Sequence, residues 1–191
     1  MSGTSASLLE RLFDREDSEA WRRLVDLYTP LIRGWMGRNG VPASDADDVT
    51  QDVLGVVARE LPGFRHNGRV GAFRAWLRAI TTNCLRRAWR EQRRRRDWGD
   101  FGPLLEQLED PCSDPSRLWD REHDRQVLDR MLSAIEPDFR PETWAAFRRL
   151  ALEGATAREV ADELGVTSNA VLIAKSRVLH RLRELSAGLL D

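Results

Sequence analysis

Residues 72–96 read AFRAWLRAITTNCLRRAWREQRRRR. Phe73, Trp76, Leu77, Ile80, Cys84 and Leu85 recur at steps of three and four. That is the period of a helix with one buried face. The spacing predicts one long helix from about Ala72 to Arg95, with Arg74, Arg78, Arg86, Arg87 and Arg90 on its outer side. Together with the loop before it, the segment 65–96 holds eleven arginines and one acid, Glu91, a net of +10. The whole chain of 191 residues carries only −1. Residues 1–64 carry −4, residues 97–142 carry −8 and residues 143–191 carry +1. The near-neutral total therefore conceals a polyanion-binding footprint. Phe64, Phe73, Trp76, Trp89 and Trp98 are interleaved with the arginines. Guanidinium groups for phosphates and aromatic rings for bases are what a single strand of nucleic acid needs. By its spacing with Phe73 and Ile80, Trp76 is read as a core residue.

The stretch Pro62 to Gly71, PGFRHNGRVG, contains three glycines and reads as a loop. Before the loop, Val49, Val53, Val56, Val57 and Leu61 mark a helix from Asp45 to about Glu60, capped by Ser44. Asp45, Asp47 and Asp48 lie in its first turn, where acids suit the helix dipole. Gln51 and Asp52 lie a turn beyond. Asp17 or Ser18 caps the preceding helix, with Trp21, Leu24, Val25, Leu27, Tyr28, Leu31, Ile32 and Trp35 inward. Pro30 is a candidate kink and Gly40-Val41-Pro42 a break. A short helix runs from Ser7 to about Phe13. Four helices around one core make a first domain over residues 5–96.

Residues 97–117 are acidic and rich in Gly, Pro and Ser, and read as a linker with at most a helical turn at Leu104, Leu105 and Leu108. A second domain spans residues 118–187. Val127, Leu128, Met131, Leu132 and Ile135 line its first helix, and Trp144, Phe147, Leu150 and Leu152 its second. Thr156 with Glu159 is a capping box. Val160, Ala161 and Leu164 pack inward, and Gly165 supplies a left-handed turn. Thr167 or Ser168 caps a further helix with Val171, Val178 and Leu182 inward. This is the pattern of a helix-turn-helix, whose second helix enters the major groove. Thr167, Ser168 and Asn169 stand at its entry, the last two suited to base edges. Lys175, Arg177 and Arg181 suit phosphates. The fold class is all-α: two small helical domains joined by an acidic linker.

No apolar run approaches the ~18 residues needed to span a membrane, and the polar N-terminus lacks a secretory stretch. A cytoplasmic protein with no membrane insertion is expected. Cys84 and Cys112 are the only cysteines, without CxxC or paired histidines, so neither a disulfide framework nor a metal site is expected. Three histidines (His66, His123, His180), no Gly-rich phosphate loop and no Ser-His-Asp arrangement argue against an enzyme. No catalytic residue and no cofactor are expected. A single Lys against 29 Arg suggests a GC-rich genome.

Taken together, these segments resemble a bacterial extracytoplasmic-function (ECF) sigma factor of RNA polymerase over about residues 8–187. Asp45-Ala46-Asp47-Asp48-Val49-Thr50-Gln51-Asp52-Val53 is similar to that family's DAEDLxQExF motif. Phe73-Arg74-Ala75-Trp76-Leu77 through Ile80 to Asn83 is similar to its FxxWLxxIaxN melting motif. Residues 154–183 resemble its reader of the promoter −35 element. The resemblance implies core RNA polymerase and promoter DNA as partners. Asp45, Asp47, Asp48, Gln51 and Asp52 would dock on the polymerase. Phe64, His66, Asn67, Arg74, Asn83, Arg86, Arg87 and Arg90 would bind and melt the −10 element. Thr167, Ser168, Asn169, Lys175, Arg177 and Arg181 would bind the −35 element. The acidic linker would thread the RNA exit region. One departure stands out. Where the family carries a TVKSR-like stretch, this chain has Ala170-Val171-Leu172-Ile173-Ala174, and Lys175-Ser176-Arg177 falls a turn later. Control by an anti-sigma factor, by a regulatory kinase or by the C-terminal segment is left open. A stand-alone helix-turn-helix regulator that melts nothing is the rival reading.

Overall fold

The computed structural model describes residues 8–14, 16–65, 71–92 and 100–186. Every regular element among them is helical and none is a strand, as the all-α reading requires. The chain forms two compact units, Leu8–Val127 and Leu128–Ala187.

In the first unit, α1 (Leu8–Leu12) leads into α2 (Ser18–Arg38). Asp17 caps α2, accepting from the Ala20 N–H at 2.9 Å. It also accepts from Arg11 at 2.8 and 3.0 Å. The Arg11 hydrogen bond, and then the Ala20 one, hold the Asp17 carboxyl below its usual range. α2 runs through Pro30 without ending. The lost backbone hydrogen bond is offset by burial of Leu24, Leu27, Tyr28, Leu31, Ile32, Trp35 and Met36 along one face. Val25, expected inward, is 41% exposed. α3 (Ala43–Glu60) begins earlier than expected. Pro42 is its N-cap and makes no side-chain cap, so Ser44 lies inside the first turn. A 3-10 turn, Leu61–Gly63, follows, and α4 (Ala72–Gln92) packs on α3.

Most of the described part of the segment expected to be a linker is helical. α5 (Gly102–Glu109) packs on α4 and buries Leu105 and Leu108, with Phe101 buried just before it. These three stand at i, i+4 and i+7, one face of a helix. Pro103 occupies the first turn, where a missing N–H costs nothing. Asp100 accepts from the Gly102 N–H at 3.0 Å. The turn-forming composition that suggested a loop is the start signal of a helix.

α6 (Asp114–Ile135) then contributes its N-terminal half to the first unit. Ser116 and His123 are fully buried, and Trp119 is 1% exposed. Trp119 meets Trp35 edge to face with centroids 5.1 Å apart. His123 stacks on Tyr28 and its Nε2 lies 3.3 Å from the Tyr28 hydroxyl. The division between units therefore falls inside α6, at 127/128, rather than at the linker's end near residue 117.

The second unit contains the end of α6, α7 (Pro141–Phe147), α8 (Ala157–Leu164) and α9 (Ser168–Ser186). Leu132, Ile135, Trp144, Phe147 and Val178 form one buried cluster. Ala146, Val160, Ala161, Val171 and Ala174 form another. A π turn, Arg148–Leu152, extends α7, with the Glu153 N–H donating to the Arg148 carbonyl at 3.0 Å. Leu152, expected inward, ends this turn and is 51% exposed, two residues after Leu150 and so on another side of the helix. The capping box forms. The Glu159 N–H donates to Thr156 Oγ1, and the Thr156 N–H donates to Glu159 Oε2 at 2.7 Å. Gly165 ends α8 at φ +66°, a conformation costly for any residue with a Cβ. Thr167 caps α9, its hydroxyl accepting from the Ala170 N–H at 3.1 Å.

Candidate nucleic-acid interface

α4 turns one face to solvent. Ala75, Ala79, Asn83, Arg87 and Arg90 are exposed on it, and Trp76 and Arg86 are half-buried. At its N-terminal end lies a concavity of about 690 Å³ lined by Arg59, Glu60, Phe64, Arg65, Ala75 and Trp76, among others. Its floor is aromatic. The Phe64 ring is 5.0 Å from Trp76 and 5.7 Å from Phe73, and Phe73 is 5.4 Å from Trp76. Trp76 is therefore not a closed core residue: it packs on Phe73 with one side and lines the concavity with the other. Two smaller clefts continue along the helix. One, about 190 Å³, is lined by Glu60, Asn83, Cys84 and Arg87 among others; the second, about 260 Å³, by Ala75, Ala79, Asn83 and Glu109 among others. Burial pushes the Cys84 thiol up, so it stays an unreactive neutral group in this wall. His66, Asn67, Trp98 and Arg93 to Arg96 lie outside the described residues.

The arginines of α4 divide. Arg86 pairs with Glu109 of α5 and donates to Asn83 Oδ1 at 3.3 Å. Arg87 pairs with Asp52 of α3 at 2.6 Å, both side chains more than half exposed. The Asp52 hydrogen bond raises the Arg87 pKa further. Arg90 is exposed. Arg74 and Arg78 do not face outward as expected. Arg78 is 6% exposed and donates to Asp120 at 2.7 Å and to the Ser116 carbonyl at 3.4 Å. Arg74 pairs with Asp124 and lies 3.5 Å from Asp120. The cause is geometric. Arg74 and Arg78 stand four apart on α4, Asp120 and Asp124 four apart on α6, so one turn of each helix matches the other. Burial alone would raise the Asp124 carboxyl. Hydrogen bonds from His123 and Arg74 outweigh it and hold Asp124 below its usual range. Arg74 is thereby withdrawn from the strand-contacting set.

α3 carries the acidic group. Asp48, Gln51 and Asp52 are exposed on its outer face, and Asp45 and Asp47 are half-buried at its margins. Asp47 accepts from Arg33 at 2.7 Å. The exposed carboxylates are suited to bidentate pairing with arginines of a partner.

In the second unit, Ser168, Asn169 and Arg177 are exposed on α9, and Lys175 is half-buried. The exposed Thr167 uses its hydroxyl as the cap. Arg181 is held by Asp138 at 2.9 Å, with Glu184 at 3.6 Å, and the Asp138 hydrogen bond raises its pKa. That pairing competes with the phosphate role expected of it. Arg59, Glu60 and Arg65 were not read as site residues. They follow the α3 stripe at its C-terminal end, and only the folding of the turn 61–63 brings them beside Trp76. Among the described residues no group of His, Cys, Asp or Glu is placed to hold a metal, and no helix is long and apolar enough to cross a membrane.

With this geometry in place, comparison with known proteins is specific. Residues 24–95 match the Sigma-70 region 2 family. The matched span covers most of α2 and all of α3 and α4, the helices that carry the acidic stripe, the aromatic concavity and the outer arginines. That similarity supports a role in transcription initiation. A search of curated proteins finds no match to the chain.

Proposed function

We propose that the chain is a sigma factor of the extracytoplasmic-function class. It binds core RNA polymerase through the outer face of α3 and the promoter −10 element through α4. It binds the −35 element through α8 and α9. The observation that carries this reading is the presence, within the region-2-like span, of an exposed acidic stripe and an adjoining face of arginines beside an aromatic concavity, the two meeting at Asp52 and Arg87. One surface is complementary to a basic protein partner and the other to a nucleic-acid strand. A regulator that only binds duplex has no use for a concavity that admits a displaced base. In this reading, Asp48, Gln51 and Asp52 meet cationic side chains of the polymerase. Asp45 and Asp47 support them from the margins. Phe64 and Trp76 flank the displaced base, with His66 and Asn67 of the adjoining loop as further base contacts. Asn83, Arg86, Arg87 and Arg90 follow the strand. Ser168 and Asn169 face base edges of the −35 duplex. Lys175 and Arg177 meet its phosphates, and Thr167 keeps the entry of α9 in shape.

The test is capture of purified core polymerase by the chain and by its Asp48→Arg variant. Asp48 is exposed, so the variant folds. Capture by the parent chain and loss of about tenfold or more in the variant is expected, as for reversing a charge at an interface. Equal capture by both sinks the assignment of α3 as the docking face. Absence of capture by the parent chain favours the stand-alone regulator.

A further inference from the structure

The outer face of α9 is polar at its ends and apolar at its centre. Asn169, Leu172, Ile173, Ser176 and His180 recur at steps of three and four and share one face. Leu172 is 51% and Ile173 44% exposed. The inner stripe of the same helix is already complete, with Val171 and Val178 fully buried and Ala174 at 7%. The pair is therefore not core that has been displaced. Over Ser168–Ser186 the helix has four bases and one acid, Glu184; Arg181 is held by Asp138, and Lys175, Arg177 and Arg183 are the remaining cations. A basic helix that follows another across a tight turn at Gly165 is complementary to a polyanion, and a helix so placed is the kind that enters a major groove.

In that groove the only group suited to an apolar side chain is the 5-methyl of thymine. Adenine offers an acceptor and a donor side by side, which a carboxamide such as Asn169 matches in two hydrogen bonds. Guanine is read by Arg or Lys. Neither stands on α9 before Lys175, and Lys175 is half-buried to one side.

We propose that α9 reads an A·T-containing element of duplex DNA, with Leu172 and Ile173 against thymine methyl groups and Asn169 on an adenine. This rests on the reading of α8 and α9 as a duplex-binding pair.

The experiment is enrichment of duplexes from a randomised pool by the full chain, alone and with core polymerase. The enriched duplexes are then remade with deoxyuridine for thymidine, which removes only the methyl group. The expected result is an enriched element with adjacent A·T pairs. Affinity should fall about fourfold for each contacted thymine, the loss expected for one buried methyl-sized group. Leu172→Ala with Ile173→Ala should abolish that sensitivity while leaving the melting temperature unchanged, since both side chains are exposed and Ala suits a helix. Asn169→Ala should relax the preference at one adenine. Enriched duplexes indifferent to deoxyuridine, or a double variant that binds them as the parent does, overturn the proposal and leave the apolar pair to a protein partner. Enrichment of no duplex under either condition overturns it together with the duplex-binding reading.

Discussion

Two pairs of arginines on one helix have different fates. Arg74 and Arg78, on the N-terminal half of α4, are held by Asp120 and Asp124. Arg86 and Arg87, two turns on, are held by Glu109 and Asp52. All four are paired, so pairing does not separate them; the exposure of each pair as a whole does. The Arg78 side chain is 7% exposed and that of Arg87 56%; Arg74 at 19% and Arg86 at 25% are alike and differ in their acids, Asp124 at 44% against Glu109 at 61%. An exposed ion pair contributes about 0–1 kcal/mol, and a phosphate can replace the acid at little cost. Removing one partner of a buried pair strands a charge out of water, at about 3–5 kcal/mol. The inner pair is therefore structure and the outer pair is surface available to a polyanion. A count of arginines along the sequence overstates the binding footprint by the members that a neighbouring acidic helix has claimed.

The largest effect should come from the helix that makes this distinction. Trp119→Ala removes the α6 side chain seated on Trp35 and should destabilise the first unit by about 3–5 kcal/mol in denaturant titration. An unchanged midpoint would place residues 114–127 outside that core and dissolve the comparison. Arg78→Ala should cost about 2–3 kcal/mol, leaving Asp120 with only the more distant Arg74. Its folded fraction should still bind a single-stranded oligonucleotide as the parent does; weaker binding would mean Arg78 reaches the strand after all. Arg86→Ala with Arg87→Ala should shift stability by less than about 1 kcal/mol. The slope of log affinity against log salt for a single strand should fall by about 1.4, two phosphate contacts at ~0.7 each. An unchanged slope would make the outer pair ornamental. Acid should produce the smallest effect. The folded Asp124 carboxyl titrates below its ordinary value of 3.8. Its contribution is then present above that pH and is lost as pH falls through the lower folded value. Asp124→Asn should flatten that acid limb of the stability curve and leave neutral-pH DNA binding unchanged.

The helices were legible because their apolar residues keep the 3.6 period, as in Val49, Val53 and Val57 or Leu77, Ile80 and Cys84. The capping box at Thr156 and the turn at Gly165 were legible because a cap and a left-handed turn are local chemistry. The acidic stripe of α3 and the outer arginines of α4 were also legible, as patterns on a single helix. What escaped the sequence is pairwise. Asp120 and Asp124 look like solvated acids until α6 is laid on α4. Leu105 and Leu108 look like a loop's few apolar residues until α5 packs on α4. Trp76 has helical spacing with the core, yet its second side lines a space that only the turn 61–63 creates. The π turn after Phe147 carries no sequence mark, and Leu152 at its end is exposed.

The central claim is that a region-2-like unit with outer arginines in exchangeable surface pairs and an aromatic concavity opens promoter DNA in company with polymerase. Permanganate reactivity of thymines tests it most directly, on duplexes enriched by the chain together with core polymerase. Thymines upstream of the start site that become reactive only when both proteins are present, and that lose reactivity in the Arg86→Ala, Arg87→Ala variant, are the expected result. Stable binding of the same duplex by chain and polymerase with every thymine unreactive would contradict it.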